Sequence, residues 1–527
     1  MLNWKELRLT KSLLLVDKQM NGFFGKKMNR DFHREKRSKD RMAVRNRGAK
    51  TLRMIQASVL LAALVLTTSC SMLGGGQEVS ETPPKTAPEQ KITRYEGEKS
   101  KVIPYVYTSR KELTLTFNGM GDRAMMDKLL DELDRYHIKA TFFLPGMRVA
   151  EEPDIARDIL QRGHEIENNT LNQLDMNKLG YEQVYKEIQL TNEVIKKETG
   201  ISPRYIRTKS GDFTDDVRLA AAQLGMEAVV SYNINPKDRD MKKAKAIGDY
   251  VERFISRGGI VSLNADINPE VIPSIPLIAK AAENIGYQFV TLSDLVKNGG
   301  ERKPLEQIPG YDAVKVDMNY QNKQYRLIYN VETDKPQIAL TFDDWGSDKT
   351  VTKILDILAK YDVKATFFLR AKGVETNPNL ARAMVDGGHD VANHSYSHPV
   401  VTTLTPDQLQ KDLVKAHQVI TEAIQQKPTM LFRPPTGVVD DQMGKVISAV
   451  GYHDIAMYDV TTLDWDSKNS AADIVNGVMK QTQKGSVILL HMLDDIHTIE
   501  ALPIVIESLR KKGFVFVKMA DMIKQAK

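Results

Sequence analysis

The run IALTF (338–342), Asp343-Asp344, TVTKILDILAKYD (350–362) and KATFFL (364–369) decides the fold. It reads as a continuous apolar strand, a pair of carboxylates at its end, an amphipathic helix and a second apolar strand. Strand–helix–strand order of this kind specifies parallel strands joined by right-handed crossovers. Working outward, HDVAN (389–393), MLFR (430–433), DIAMYDV (454–460), SVILLH (486–491) and FVFVK (514–518) read as further buried strands. Helical patterns such as TPDQLQKDLVKAHQVITEAIQQ (405–426) and IEALPIVIESLRKK (499–512) lie between them. Seven strands predict an α/β barrel-like closure one strand short of eight, with chemistry gathered at the C-terminal strand ends.

The same pattern occurs earlier in the chain. Leu115-Thr-Phe117 matches Leu340-Thr-Phe342, KATFFL at 139–144 matches 364–369, and Gly163-His164-Glu165 matches Gly388-His389-Asp390, all at an offset of 225. Arg207 and Gly211 match Arg433 and Gly437 at 226. Two homologous domains follow. The expected boundaries are 106–300 and 335–527, joined by a linker at 301–334 in which 324–331 partly alternates and can supply a small strand.

In the second copy the strand ends carry the reactive side chains. Asp343 and Asp344 follow IALTF, His394 and His398 follow HDVAN, Arg433 ends MLFR, Asp464 and Trp465 follow DIAMYDV, and His491 ends SVILLH. His394 and His398 are four apart, so one helical turn would put both imidazoles on one side. With one carboxylate from another strand they make a His₂-carboxylate set with open positions. That is a catalytic zinc arrangement, compatible with other divalent metals. The other carboxylate of the pair suits a general base, with Arg433 holding it ionised. His491 suits a proton donor to the leaving group, with Asp464 raising its basicity. His33, His137, His164, His389, His417, His453 and His497 are read as structural or surface residues.

TFDD (341–344), HSYSH (394–398), RPP (433–435), DW (464–465) and LLH (489–491) resemble the five motifs of the polysaccharide deacetylase (NodB-homology) family, carbohydrate esterase family 4. The resemblance covers about 335–520 and, more faintly, 110–300. It implies two tandem distorted (β/α)7-type barrels. The implied activity is metal-dependent hydrolysis of acetyl groups, chiefly N-acetyl on GlcNAc- or MurNAc-type polymers. It implies Asp343 as base, Asp344, His394 and His398 as ligands of one divalent metal ion, His491 as acid, Asp464 as its tuner and Arg433 as the residue positioning Asp343. Zinc is the first expectation, with cobalt, nickel or manganese as alternatives. The backbone N–H at Thr436 would help hold the oxyanion, with Trp465 beside the substrate. Two departures from the family touch substrate fit: Trp345-Gly346 replaces Gly-Pro after TFDD, and Thr436 replaces an aromatic after RPP.

The first copy lacks this chemistry. Asn118, Gly119, Asn169 and Gln173 stand for Asp343, Asp344, His394 and His398, and Arg207 is followed by Thr208-Lys209. At an offset of 226, Ala265 stands for His491, Arg239 for Trp465 and Asp238 for Asp464. No metal is expected there. The rival readings for the whole chain are a deacylase of a small or O-acetylated substrate, and a non-catalytic surface carbohydrate-binding protein.

The chain has 527 residues and a net charge of +6. Residues 1–53 hold 16 Lys/Arg and 5 Asp/Glu, so the remainder is near −5 and a nucleic-acid partner is not indicated. A basic segment, the apolar run 55–66 and then Cys70 have the order of a bacterial lipoprotein signal. Residues 1–70 are therefore read as a leader, with 1–41 a possible over-long start. Residues 71–105, rich in Gly, Pro, Glu, Ser and Thr, are read as a flexible linker. The expected location is extracytoplasmic, tied by a lipid on Cys70 to the outer face of the cell membrane, with secretion as the alternative. The expected partners are a polysaccharide substrate and the membrane; no protein partner is inferred. The single Cys excludes intrachain disulfides and Cys-based zinc sites.

Overall fold

The computed structural model describes residues 92–525. Within them the expected alternation of strands and helices occurs twice. In the first copy the strands are β1 (Lys101–Ile103), β2 (Glu112–Asn118), β3 (Thr141–Leu144), β4 (Glu165–Asn168), β5 (Tyr205–Ile206), β6 (Ala228–Val230), β7 (Gly259–Asn264) and β8 (Gln288–Phe289). They pair in parallel in the order β1-β6-β5-β4-β3-β2-β7, with β8 beside β2. Just past β6, Ile234 bridges to Val261 of β7, which brings the sheet round on itself.

The second copy contains β9 (Arg326–Ile328), β10 (Gln337–Asp344), β11 (Thr366–Leu369), β12 (Asp390–Asn393), β13 (Asp454–Ala456), β14 (Val460–Thr461), β15 (Val487–His491) and β16 (Val515–Phe516). The order is β12-β11-β10-β15-β14, with β16 beside β10 and β9 beside β13. Phe432 bridges β12 to β13 through single parallel pairings with Asn393 and Ile455. Both copies are thus distorted α/β barrels.

The structure corrects three details of the sequence reading. MLFR forms no strand and contributes only the two isolated bridges of Phe432. DIAMYDV is two strands, broken between Ala456 and Val460. The stretch read as flexible linker contains a strand, Lys101–Ile103, which pairs with β6; its counterpart at the repeat offset of 225, Arg326–Ile328, pairs with β13 and is the small strand expected within 324–331. Three residues are too few to show a period-2 pattern, so only the partner strand reveals Lys101–Ile103.

Alternation along the strands sorts residues onto two faces. In the second copy Leu340, Phe342, Phe367, Leu369, Val391 and Ile488 face the helices in one core. Ala339, Phe368, Ala392, Leu431, Ala456 and Val487 fill a second core on the barrel side. Each large side chain buried this way contributes roughly 1.5–3 kcal/mol. Thr341 and Asp343 share the face of Ala339, so the end of β10 delivers a carboxylate into the barrel mouth.

The helix that follows, Asp348–Lys360, starts where the Ser347 side chain accepts the Thr350 N–H. It buries Val351, Ile354, Leu355 and Leu358, one face at i, i+3, i+4 and i+7. No helix among the described residues is long and apolar enough to cross a membrane. The leader, its apolar run and Cys70 lie outside the described residues.

Candidate active site

Asp343 stands in register with His491 of β15, and β10 also pairs with β11. Arg433 is fully buried behind it. Its Nη1 donates to Asp343 Oδ1 at 2.7 Å and to Thr341 Oγ1 at 2.8 Å. Nε and Nη2 donate to the carbonyls of Ala456 and Met457, and the guanidinium lies 4.0 Å from the centre of the Phe368 ring. Every edge of the guanidinium is thus fixed. Burial raises the Asp343 pKa above the ordinary carboxylate value, against the opposing pull of Arg433 and His491.

Asp344, His394 and His398 present ligand atoms that all lie within 4.8 Å of one another. His398 Nε2 is 3.2 Å from Asp344 Oδ1. His394 Nδ1 lies 2.8 Å from the Arg433 carbonyl, which leaves Nε2 as the free nitrogen. Burial, with the nearby His398, lowers the His394 pKa to about 3, so the ring is neutral. A neutral His with its second nitrogen tied to a carbonyl, a second His and a carboxylate fit a divalent metal.

The two histidines are not on a helical turn. They lie in a loop in which Ser395 and His398 have φ of 68° and 61°. Local bonds hold this left-handed path: Ser395 N–H donates to Asn393 Oδ1, His398 N–H to Ser395 Oγ, and Tyr396 N–H to Asp412. Non-glycine residues with positive φ leave no mark in a periodicity, which is why the spacing suggested a helix.

Asp464 is 1% exposed and accepts from the ring Nδ1 and the backbone N–H of His491 and from a hydroxyl. Its Oδ1 is 2.8 Å from His491 Nδ1, and its Oδ2 accepts the His491 N–H and the Thr498 hydroxyl, each at 2.7 Å. Burial opposes charge on His491, but Asp464 together with Asp344 and Asp343 outweighs it, raising the pKa to about 9. Nδ1 is committed to Asp464, so Nε2 carries the exchangeable proton.

Thr436 adopts φ 64°, unusual for a β-branched residue, and its buried Oγ1 has no hydrogen-bond partner among the described residues. Tyr458 stands against this turn: a Cβ at Gly437 would come within 2.8 Å of its hydroxyl. Burial and then the charge of Asp343 raise the Tyr458 pKa. Trp465 is half-buried beside Asp464. The Trp345 ring lies across Gly373, where an added Cβ would be 2.2 Å from its Cγ. Sequence reasoning passed over Thr341, Thr498, Asp412 and Tyr458. Thr341 left a signal, because the LTF tripeptide repeats with its Thr.

The first copy keeps this scaffold with other atoms. Arg207 donates to Thr116 Oγ1 at 2.7 Å and to Asn118 Oδ1 at 3.3 Å. Asn169 Nδ2 donates to the Arg207 carbonyl at 2.7 Å, and Gln173 donates to Asn169. One correspondence changes. Asn118 is in register with Asn264, as Asp343 is with His491, and Asn264 bonds to Asp238 as His491 bonds to Asp464. Asn264, not Ala265, therefore takes the place of His491, because the offset has grown to 227 by β7.

The family described as polysaccharide deacetylase matches residues 106–229 and 330–455. A solved peptidoglycan N-acetylglucosamine deacetylase aligns at 32% identity with 38% of this chain and 94% of its own, with a TM-score of 0.36. The peptidoglycan-N-acetylmuramic acid deacetylase PdaA of Bacillus subtilis is 31% identical over 228 residues, 43% of this chain and 85% of PdaA. A peptidoglycan-N-acetylglucosamine deacetylase of Bacillus cereus is 32% identical over 208 residues, 39% of this chain and 74% of the relative. On these sequence matches the chain belongs to the polysaccharide deacetylase family, carbohydrate esterase family 4. It is a hydrolase of the deacetylase class.

Proposed function

We propose that the second domain removes N-acetyl groups from a GlcNAc- or MurNAc-type polymer of the bacterial cell wall, with one divalent metal ion held by Asp344, His394 and His398. The observation that carries this reading is the convergence of that triad, the Asp343–Arg433 pair and the His491–Asp464 pair on one barrel mouth. The peptidoglycan deacetylases among its relatives support the choice of polymer.

When bound, the metal would supply a Lewis acid that polarises the acetamide carbonyl and acidifies water. Asp343 takes the proton from the water that attacks the carbonyl carbon, and Arg433 keeps it oriented for that step. The backbone N–H at Thr436 faces the negative charge that develops on the carbonyl oxygen. His491 then delivers its Nε2 proton to the departing nitrogen as the C–N bond breaks, leaving acetate and a free amine. Asp464 stabilises the imidazolium before that transfer. The first domain offers no equivalent base, acid or ligands. The sequence of the leader supports an extracytoplasmic enzyme tethered through Cys70.

Acetate release from peptidoglycan, chitin oligomers, poly-N-acetylglucosamine and acetylxylan, with and without a chelator, tests the proposal. Release from a glucosamine polymer that stops with chelator is expected. Activity indifferent to chelator and to Asp343→Asn overturns the mechanism, and release from acetylxylan alone overturns the substrate.

A further inference from the structure

Asp348 begins the helix that follows the active-site segment 343–347, and its side chain is 1% exposed. Its carboxylate is saturated by donors, most of them from the other domain. Arg257, itself 3% exposed, donates from Nη1 to Oδ1 at 2.7 Å and from its backbone N–H to Oδ2 at 3.4 Å. The Tyr287 hydroxyl donates to Oδ1 as well. From the second domain come the Thr352 hydroxyl at 2.8 Å and Asn377 Nδ2 at 3.0 Å.

Around this pair the contact is close. Asn379 donates to the carbonyls of Val106 and Arg257, each at 2.7 Å, and accepts the Thr108 N–H. Gly258 has φ 66°, and a Cβ there would lie 1.8 Å from the Val106 oxygen and 2.8 Å from Asn379 Nδ2. Only glycine permits both the turn and the approach.

The contact is not a relic of the repeat. At the offset of 225, Asp348 corresponds to Arg123; at 227, Arg257 corresponds to Lys484. A reciprocal contact would oppose two cations. The buried pair exists only with the first domain supplying Arg257 and the second supplying Asp348.

The segment it anchors carries Asp343 and Asp344. On its other side Ser347 is tied to Asp494, three residues beyond His491, at 2.6 Å. Gly346 packs on the Met492 carbonyl, where a Cβ would sit 2.0 Å away. Asp344 itself has φ 77°. A left-handed aspartate between a strand end and a helix start holds its direction only if both ends are fixed.

The geometry points to Arg257 as a positioning residue for the active site of the other domain. The degenerate copy acts through it: Arg257 fixes Asp348, Asp348 fixes the start of the helix, and that start sets the direction of Asp344 and Trp345. This rests on the deacetylase reading for its kinetic arm alone.

The test uses the full chain with Arg257→Met, Arg257→Lys and, as a control on the exposed rim of the same contact, Lys111→Ala, whose Nζ is 2.7 Å from Asp356. Zinc affinity by chelator competition, kcat and KM for acetate release, and thermal melts are measured. A 1 Å misplacement of reacting groups costs ~100-fold in rate, so a loss of about tenfold or more in kcat/KM is expected for folded Arg257→Met. Weaker zinc binding should accompany it. Lysine should restore most of both, and Lys111→Ala should change neither. A folded Arg257→Met chain with wild-type zinc affinity and kcat/KM overturns the inference. If that variant does not fold, Tyr287→Phe, which removes one donor from Asp348 and keeps the ring, is read by the same criteria. Wild-type chain that binds zinc but releases no acetate defeats the deacetylase reading, and the zinc arm alone then decides this one. Wild-type chain that binds none of zinc, cobalt, nickel or manganese defeats the metal triad of the deacetylase reading, and kcat/KM for acetate release alone then decides this one.

Discussion

Arg207 in the first domain and Arg433 in the second sit in matching cages. Each reaches a threonine hydroxyl, Thr116 at 2.7 Å or Thr341 at 2.8 Å. Each donates to two backbone carbonyls and lies over a phenylalanine, at 4.1 Å from Phe143 or 4.0 Å from Phe368. They differ in the last partner, the amide of Asn118 against the carboxylate of Asp343. The same kind of exchange recurs in the candidate metal triad, where Asn169 Nδ2 reaches the Arg207 carbonyl as His394 Nδ1 reaches that of Arg433. The first domain thus carries amides where the second carries a carboxylate and imidazoles, while keeping the hydrogen bonds that hold the barrel. Without a facing carboxylate, burial pulls Arg207 down to about 9, still protonated at neutral pH.

The largest effect is expected from making the second site resemble the first. His394→Asn with His398→Gln should abolish activity and reduce bound zinc from about one ion per chain to none, read by elemental analysis. Two ions on the wild-type chain would break the comparison. Asp343→Asn keeps the cage and the ligands but removes the base, so kcat should fall about 10²–10⁴-fold while zinc stays bound.

Asp464→Asn is expected to act on pH dependence. His491 must be protonated to serve as acid, so activity falls as pH rises through its pKa, about 9 with Asp464 in place. Removing that carboxylate should move the alkaline limb of the kcat/KM profile downward. An unmoved limb would assign the limb to another group. The smallest effect is expected from the reverse change, Asn118→Asp. It should return neither zinc binding nor activity, and pairing with Arg207 should stabilise the fold by about 1 kcal/mol in urea titrations.

Much of this site is legible along the chain because strand ends concentrate it. The apolar runs announce the strands, and Asp343, His394, Arg433, Asp464 and His491 fall at or just past their ends. What periodicity missed has particular causes. Ser395 and His398 take left-handed backbone that only their local acceptors stabilise, so a loop looked like a helical turn. The place of His491 in the first copy was assigned to Ala265 rather than Asn264, because one residue slips between matching strands and only the pairing register shows it. Arg257 and Asp348 are 91 residues apart in sequence and look like ordinary surface charges there. Removing one member of such a buried pair costs roughly 3–5 kcal/mol.

The sequence by itself determined the repeated α/β order, the absence from one copy of the carboxylates and histidines found at 343, 344, 394, 398 and 491, and the residue types available to the other. These follow from short-range patterns: apolar runs, their spacing and what terminates them. Only the tertiary structure decided which atoms meet. Closing each barrel brings Arg433 behind Asp343 and Asp464 behind His491, and docking the two barrels buries Arg257 against Asp348. Such contacts depend on register and chain closure, which act over distances no local pattern spans.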